Sequence, residues 1–485
     1  MKNTETTSSK ALKSGVWYVI GNFVAKAAGF ITTPIFTRIM TKGEIGDYSN
    51  FISWIEILSI IVTLNLSTSI MIARFDFKAK LDDYISSNLV LGSIVTTGFY
   101  IIVVIFKDFF LKLLGFNELE LHIAFVYLLV YPAMQMFLIN SRIQYKYIET
   151  VFVSLISTIA STVISLLCAI IFEENRLFGR LVGFYVPLIF MNIAIYIRIL
   201  KKSWHINPKY WKYGLMVSIP LVWHTLAGNL LGSSDRIMIR YFCGTEETAL
   251  YSIAYYCGMI VSVFWSAVNN AWSPWAYEKM DEKNYGDLKH AARPLIICIG
   301  GIVFLFLLFA PEILYFMGGR SYSKAINVVP PVMLAYIFQA VYSLYVNIEF
   351  YSKKQHFIAI GTSIAAIINI VLNYWLIPKF GYIAAAYTTL VGYIVLFLIH
   401  YFWVWRMGKH NWYDSKFNII FLIGTVVSLP FWNILYRMRT LRIMLIFIIV
   451  SIILFAIFKF RKEIYLVVKY KNIEPIRDKI GQRRR

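Results

Sequence analysis

Apolar segments long enough to cross a lipid bilayer follow one another along almost the whole 485-residue chain. A bilayer core is spanned by roughly 20 apolar residues in a helix, and by that rule we count about fourteen spans. Because 59% of the residues are hydrophobic and only 15% are charged, a soluble fold would lack a polar surface. The chain is therefore predicted to be an all-α integral membrane protein. The predicted spans are 14–39, 47–72, 84–106, 121–141, 150–172, 178–200, 213–239, 248–272, 294–316, 326–350, 357–378, 381–405, 416–436 and 441–459.

The connections between these spans are short, so no soluble domain is expected. The first apolar stretch is too long for the apolar part of a signal peptide and has no small-residue cleavage site, and we interpret it as a retained helix. The four cysteines are scattered without ligand spacing, and no phosphate-binding loop or nucleophile elbow is present. The sequence thus predicts neither an enzyme nor a metal or organic cofactor.

The net charge of +21 reflects membrane topology more than nucleic-acid binding. Of the 47 Lys and Arg residues, 32 fall on the side that holds both predicted termini and 14 on the opposite side. This asymmetry follows the positive-inside rule and places residues 1–13 and the basic tail 460–485 in the cytoplasm. The tail is interpreted as an anchor to anionic lipids, with protein docking as the alternative.

A weak internal repeat divides the chain into two lobes. The stretch 41–49 opens the second span and 245–252 opens the eighth, and in both a Glu lies four residues before Tyr-Ser. A Phe-Gly pair at Phe178 recurs at Phe380, 202 residues later. These matches predict an N-lobe over 14–200, a cytoplasmic linker over 201–212 and a C-lobe over 213–405, each with six helices. The last two helices, over 416–459, are additional.

Polar residues line one face of the first helix. Asn22, Lys26 and Thr33 share this face, and Lys26 lies near mid-membrane, where a charge usually meets a cavity or a partner. Glu56 of the second helix is predicted at a similar depth. Lys26 is therefore either a cation facing a central cavity or one half of a structural Lys26–Glu56 ion pair.

The seventh helix repeats this design at the start of the second lobe. Asn229, Arg236 and Arg240 lie on one face, while Asp235 points about a quarter-turn away and is expected to position a neighbouring group. The alternative for the two arginines is snorkelling to the outer interface. In the eleventh helix Asn369 and Asn373 are expected to hold helices together, with substrate contact as the alternative.

These features predict a polar cleft between the lobes in which cations outnumber anions. A cationic cleft attracts an anionic solute, and a phosphate-bearing head group fits better than a metal ion or a basic drug. Glu56 and Asp235 are candidates for positioning the cations or for taking up a proton or sodium ion during the transport cycle.

A family resemblance is carried by residues 21–38, residues 43–48, residues 229–237 with the Asp235–Arg236 pair, and residues 369–386. Through these stretches the chain resembles, over about residues 10–460, the Wzx-type polysaccharide flippases of the multidrug/oligosaccharidyl-lipid/polysaccharide exporter superfamily. It departs from the peptidoglycan-lipid branch, where the first helix is richer in Arg than here.

This resemblance implies two six-helix lobes forming a V-shaped cleft that opens alternately to each side of a bacterial cytoplasmic membrane. The implied cargo is an undecaprenyl-pyrophosphate-linked oligosaccharide for O-antigen, capsule or exopolysaccharide, and a glycan polymerase is the implied neighbour. The rival hypotheses are a cation-coupled multidrug antiporter, a peptidoglycan-lipid flippase, a glycan polymerase or ligase, and a scaffold that binds lipid-linked intermediates.

Overall fold

The computed structural model describes Gly21, residues 29–144 and residues 146–459. Lys26, Asn22 and the basic tail lie outside the described residues. The described chain is helical and contains no strand. Its long helices are α1 (29–39), α2 (Lys42–Thr63), α3 (Leu81–Ile105), α4 (Glu118–Ile143), α5 (Tyr147–Ile171), α6 (Arg176–Lys202), α7 (Pro208–Phe242), α8 (Thr245–Asp281), α9 (Tyr285–Leu308), α10 (Val329–Tyr351), α11 (Gln355–Phe380), α12 (Tyr382–Arg406), α13 (Ser415–Val427) and α14 (Arg439–Lys459).

Twelve segments of the described chain are long and apolar enough to cross a membrane, which confirms the predicted all-α membrane fold. Helix ends differ from the predicted edges where local capping chemistry decides them. The second helix begins at Lys42, because Thr41 and Glu44 form a reciprocal capping box there. It ends at Thr63, where Leu64 and Asn65 adopt left-handed backbone angles, rather than at residue 72.

The same pattern of helix neighbours occurs twice. In the first six helices, α6 packs against α4 and α5, and α2 packs against α4. In the next six, α12 packs against α10 and α11, and α8 packs against α10. This is the arrangement expected from the repeat, and the terms N-lobe (α1–α6) and C-lobe (α7–α12) are used on that basis.

The chain divides into two compact units, residues 1–426 and 427–485. The first contains the helices α1–α12 and nearly all of α13. The second contains α14 and the short helix Leu429–Arg437, which pack against each other. All residues discussed below belong to the first unit.

The lobes meet where α2 lies against α7 and α8. Both α2 and α8 begin on the same side of the bundle, which we call the Thr41 side. The connection between α6 and α7 lies on the opposite side, which we call the Lys202 side. A side-chain carbon at Gly46 would lie 1.8 Å from the carbonyl oxygen of Thr245, so only glycine permits this approach. The lobes are therefore in close backbone contact at the Thr41 side.

Helices α5 and α6 approach closely through Gly179 and Gly183, which form a small-xxx-small pattern. A side-chain carbon at Gly179 would lie 2.5 Å from the carbonyl oxygen of Cys168, and one at Gly183 would lie 2.6 Å from the Cα of Ser165. The Ser165 hydroxyl donates to the backbone carbonyl of Arg180 at 2.8 Å. This packing fixes the backbone of Arg180 against α5.

Candidate functional site

A cavity of about 380 Å³ lies between four helices of the N-lobe and α8 of the C-lobe. Its walls combine hydroxyl groups with aromatic and aliphatic side chains, and among the described lining residues Arg180 is the charged one. A cavity of this size is within the range of small-molecule sites. The polar and aromatic lining residues are Phe30, Thr32, Thr33, Phe36, Tyr48, Thr158, Thr162, Ser165, Arg180, Phe184 and Tyr256.

The Arg180 guanidinium is held by aromatic faces. Its Cζ lies 3.4 Å from the ring centroid of Tyr48 and 3.8 Å from that of Phe36. The residue is only 9% exposed, and its Nε has no hydrogen-bond partner among the described residues. Because a buried cation is stabilised by an anion or by hydrogen bonds to its donors, Arg180 is a strong candidate ligand for an anionic group.

The sequence did not single out Arg180. Arg180 is the fifth residue of α6, and a charge so near the end of a membrane helix is usually expected at the membrane–water interface. The sequence feature that could have indicated its inward direction is the pair Gly179 and Gly183. These glycines let α6 pack closely against α5, and the arginine between them then points into the cavity.

Of the predicted substrate-binding residues on the first helix, Thr33 lies in the cavity wall. Its hydroxyl donates to the carbonyl oxygen of Gly29 at 2.7 Å, so its donor is already used within the helix. Asn22 and Lys26 lie outside the described residues, and the Lys26–Glu56 alternative stays a prediction.

Arg236 belongs to a hydrogen-bonded chain between the lobes. Its Nε donates to Ser53 Oγ of α2 at 2.9 Å, and a terminal nitrogen donates to Ser233 Oγ at 3.0 Å. The Ser233 hydroxyl donates in turn to the Glu56 carboxylate at 2.5 Å. We call Ser53, Glu56, Ser233 and Arg236 the inter-lobe cluster. It joins α2 to α7 through one cation and one carboxylate.

Asn229 and Arg240 extend these contacts along α7. The Asn229 amide donates to the Glu56 backbone carbonyl at 3.4 Å. The Arg240 Nε forms an ion pair with Asp47 of α2 at 2.7 Å, and both side chains are about 30% exposed. Arg236, by contrast, is 5% exposed and does not snorkel to an interface.

Asp235 faces away from Arg236, into the C-lobe. Its carboxylate is 1% exposed and accepts from Tyr251 at 2.5 Å, from Asn373 at 2.6 Å and from Thr389. Asn369 joins the network through Asn373 at 3.2 Å. This Asp235 cluster connects α7, α8, α11 and α12, so the two asparagines of α11 hold helices together.

The site therefore has three parts: a cation in an amphipathic cavity, a polar chain across the lobe interface and a buried carboxylate cluster. The described residues contain no group of three or more His, Cys, Asp and Glu side chains placed to hold a metal ion. Chemically, the cavity suits a solute with an anionic group and an apolar or ring-shaped part. The carboxylate cluster suits a small cation or a proton.

The family model described as "Polysaccharide biosynthesis protein" matches residues 11–280, and the model described as MatE matches residues 220–375. An uncharacterized membrane protein of Methanocaldococcus jannaschii is 23% identical over 456 residues, which cover 87% of this chain and 89% of that protein. An uncharacterized membrane protein of Haemophilus influenzae is 23% identical over 322 residues, covering 63% and 76%.

Two solved structures share the fold. The lipid II flippase MurJ in an inward closed conformation gives a TM-score of 0.68 at 16% identity and covers 93% of this chain and 100% of its own. An inward-facing multidrug resistance MATE family transporter of the MOP superfamily gives 0.61 at 13% identity, covering 80% and 95%. At these identities the likeness establishes fold and not substrate. The chain shares its fold with these two proteins, and since the first family model spans more than half of the sequence, it belongs to the polysaccharide biosynthesis protein family.

Proposed function

We propose that this protein is a flippase that carries an undecaprenyl-pyrophosphate-linked oligosaccharide from the inner to the outer leaflet of the bacterial cytoplasmic membrane. The observation that carries the proposal is the buried Arg180 guanidinium in an amphipathic cavity whose described lining residues include no carboxylate. Membership of a polysaccharide biosynthesis family supports a glycan cargo. The positive-inside rule predicts cytoplasmic termini, and with this topology the Thr41 side faces outward.

In this mechanism the diphosphate of the cargo binds the Arg180 guanidinium, whose fork of donors matches phosphate oxygens. Lys26 is proposed as a second cation on the first helix. Hydroxyls such as Thr162 and rings such as Tyr256 lie in the same wall and offer hydrogen bonds and faces to sugars. The polyprenyl tail stays in the surrounding membrane lipids.

Alternating access requires the lobes to separate at the Thr41 side. The inter-lobe cluster, the Arg240–Asp47 pair and the Gly46–Thr245 approach all hold them together there. An anionic cargo that competes for Arg236, or a proton that neutralises Glu56, would weaken this contact. Arg236 and Arg240 thus hold the two lobes together until the cargo competes for them during the transport cycle.

The Asp235 cluster is proposed as a coupling site for H⁺ or Na⁺. A carboxylate surrounded by amide and hydroxyl oxygens is a suitable environment for a small hard cation, since such ions bind oxygen ligands. Binding there would alter the packing of α7 against α11 and α12, because the Asp235 carboxylate accepts hydrogen bonds from both of these helices.

The proposal is tested by deleting the gene and analysing lipid extracts by mass spectrometry. We expect one undecaprenyl-pyrophosphate oligosaccharide to accumulate while the surface polymer is lost. Lys26→Ala and Arg180→Ala should reproduce this at normal protein abundance, whereas Lys26→Arg and Arg180→Lys should retain part of the export. Arg198→Ala, which removes an exposed ion pair to Glu149, is the matched control. An unchanged lipid pool in the deletion strain would refute the proposal.

Two other functions are the alternatives to this proposal. If the protein were a peptidoglycan-lipid flippase, as the name of MurJ says of that protein, lipid II would accumulate instead. The MatE match over residues 220–375 favours a cation-coupled multidrug antiporter, in which case drug tolerance would change and no lipid intermediate would build up. The same mass-spectrometric experiment separates all three.

A further inference from the structure

A carboxylate and an imidazole are buried together in the C-lobe, outside the site described above. His400 of α12 places its Nδ1 2.9 and 3.0 Å from the two carboxylate oxygens of Glu349 on α10. Both side chains are 0% exposed. Burying ionisable groups is expensive, and apolar residues of similar size pack as well. An ion-binding role explains why such a pair is present.

The other ring nitrogen of His400 has no hydrogen-bond partner among the described residues and is buried. Because Nδ1 must carry a hydrogen to donate to the carboxylate, Nε2 is the atom whose protonation state is left open. A side-chain carbon at Gly361 of α11 would lie 3.1 Å from Nε2. Glycine at this position therefore leaves space beside the one nitrogen that can gain a proton.

The pair lies where α7, α10, α11 and α12 approach one another. The Nδ1 of His224 on α7 is buried without a hydrogen-bond partner among the described residues. Tyr342 of α10 stacks on the His400 ring with centroids 5.6 Å apart. The other ionisable groups around this part of α10 are His356 of α11, Tyr277 and Asp281 of α8, Tyr393 of α12 and Lys409 of the following loop.

We propose that Glu349 and His400 form a proton-binding site of the C-lobe, with His400 Nε2 as the atom that gains and loses the proton. A proton adds to the Nε2 lone pair of the neutral imidazole to give an imidazolium, and it leaves from the same atom. Glu349 accepts from Nδ1–H in both states and balances the added charge. As the proton site of transport coupling, a role that rests on the proposed function, the pair takes up H⁺, and the Asp235 cluster is then the candidate site for Na⁺.

The first test measures proton binding directly on the purified full-length protein. Between pH 9 and pH 5, the wild type should take up about one proton more than the Glu349→Gln/His400→Gln double variant, as expected for one titrating imidazole. Equal uptake would overturn the proposal, because a purely structural pair keeps its single proton throughout this range. Gly361→Ala retains both groups and crowds Nε2, so it should shift this uptake to lower pH even if the double variant folds poorly.

The second test uses proteoliposomes that contain undecaprenyl diphosphate, with outer-leaflet lipid detected by an impermeant phosphatase. A one-unit pH difference should shift the wild-type leaflet distribution by up to about tenfold for one proton per cycle. Glu349→Gln and His400→Gln should flip lipid without a gradient but lose this response, whereas Glu149→Gln should respond like the wild type. Variants that keep the response would overturn the coupling role. A wild type that does not flip would refute the proposed function, while proton uptake still decides the site.

Discussion

Two tyrosines occupy equivalent positions in the two lobes and contact groups of opposite charge. Tyr48 lies four residues after Glu44 in α2, and its ring covers the Arg180 guanidinium at 3.4 Å. Tyr251 lies four residues after Glu247 in α8, and its hydroxyl donates to the Asp235 carboxylate at 2.5 Å. One lobe thus uses the aromatic face to hold a cation, and the other uses the hydroxyl to hold an anion.

This difference shows how two lobes with the same helix packing acquire different chemistry. The N-lobe directs its buried cation to a cavity, where the Arg180 Nε has no hydrogen-bond partner within the described part of the chain. The C-lobe buries two carboxylates, Asp235 and Glu349, among donors from neighbouring helices. The two lobes therefore share a helix-packing scaffold but place different buried charges at a few inward positions.

Removing the C-lobe anion should have the largest effect on stability. Asp235→Ala leaves the buried donors of Tyr251, Asn373 and Thr389 without their acceptor, and we expect a loss of about 3 kcal/mol in the free energy of unfolding. Denaturant titration in detergent micelles measures this. Asp82→Ala, which removes a surface ion pair to Lys202, should change stability by less than about 1 kcal/mol. Equal losses in both variants would contradict the structural role of Asp235.

Removing the N-lobe cation should affect transport instead of folding. Arg180→Ala should slow export by roughly 30-fold, equivalent to about 2 kcal/mol for a lost charge-assisted contact. Export is measured as surface polymer per unit of membrane-inserted protein. If Arg180→Ala exported as much polymer as the Arg198→Ala reference and the wild type, the cargo would have to be bound by other residues.

Removing one hydroxyl from each lobe tests the comparison itself. Tyr251→Phe deletes a donor to a buried carboxylate and should reduce the free energy of unfolding by about 1.5 kcal/mol. Tyr48→Phe keeps the aromatic face that contacts Arg180, so its effect should be smaller. Each variant loses one hydroxyl group relative to the wild type, and both are compared in the same unfolding assay. A larger loss in Tyr48→Phe would reverse the roles assigned to the two rings.

The smallest effect is expected at Asp414, in the loop before α13. The hydrogen bond from Arg293 lowers the pKa of Asp414, whose Oδ1 also accepts from the backbone N–H of Phe417 at 3.1 Å. Because the pKa of Asp414 is lower in the folded protein, its carboxylate stabilises the fold fully at any pH above the unfolded-state pKa of about 3.9. This stabilisation is lost as the pH falls through the folded-state pKa of Asp414. Asp414→Asn should reduce stability by about 0.5 to 1 kcal/mol at pH 7 and remove this dependence. Thermal unfolding from pH 7 to pH 3 measures both.

The fold was largely predictable because lipid leaves few alternatives. Each long apolar run must form a helix, and the offset of 202 residues between Phe178-Gly179 and Phe380-Gly381 indicated two similar lobes. Helix edges were less predictable where a capping box or a left-handed residue decides them, as at Thr41 and Leu64.

The candidate site was predictable only in part. The stripe on the seventh helix and the quarter-turn between Asp235 and Arg236 followed from helical geometry alone. The contact between Arg236 and Ser53 of the other lobe could not be predicted, because one sequence does not show which helices face each other. Arg180 was missed because its inward direction depends on how closely α5 and α6 approach. The Glu349–His400 pair joins residues 51 positions apart and has no local signature.

The sequence by itself determined that this chain is a bundle of membrane helices with a repeated six-helix plan, because hydrophobic length and helical periodicity are local properties. Tertiary structure alone decided where each buried charge points and what it meets. In a low-dielectric interior the partner of a charge, and not its position along the helix, determines whether it binds cargo, closes the lobe interface or holds the fold together.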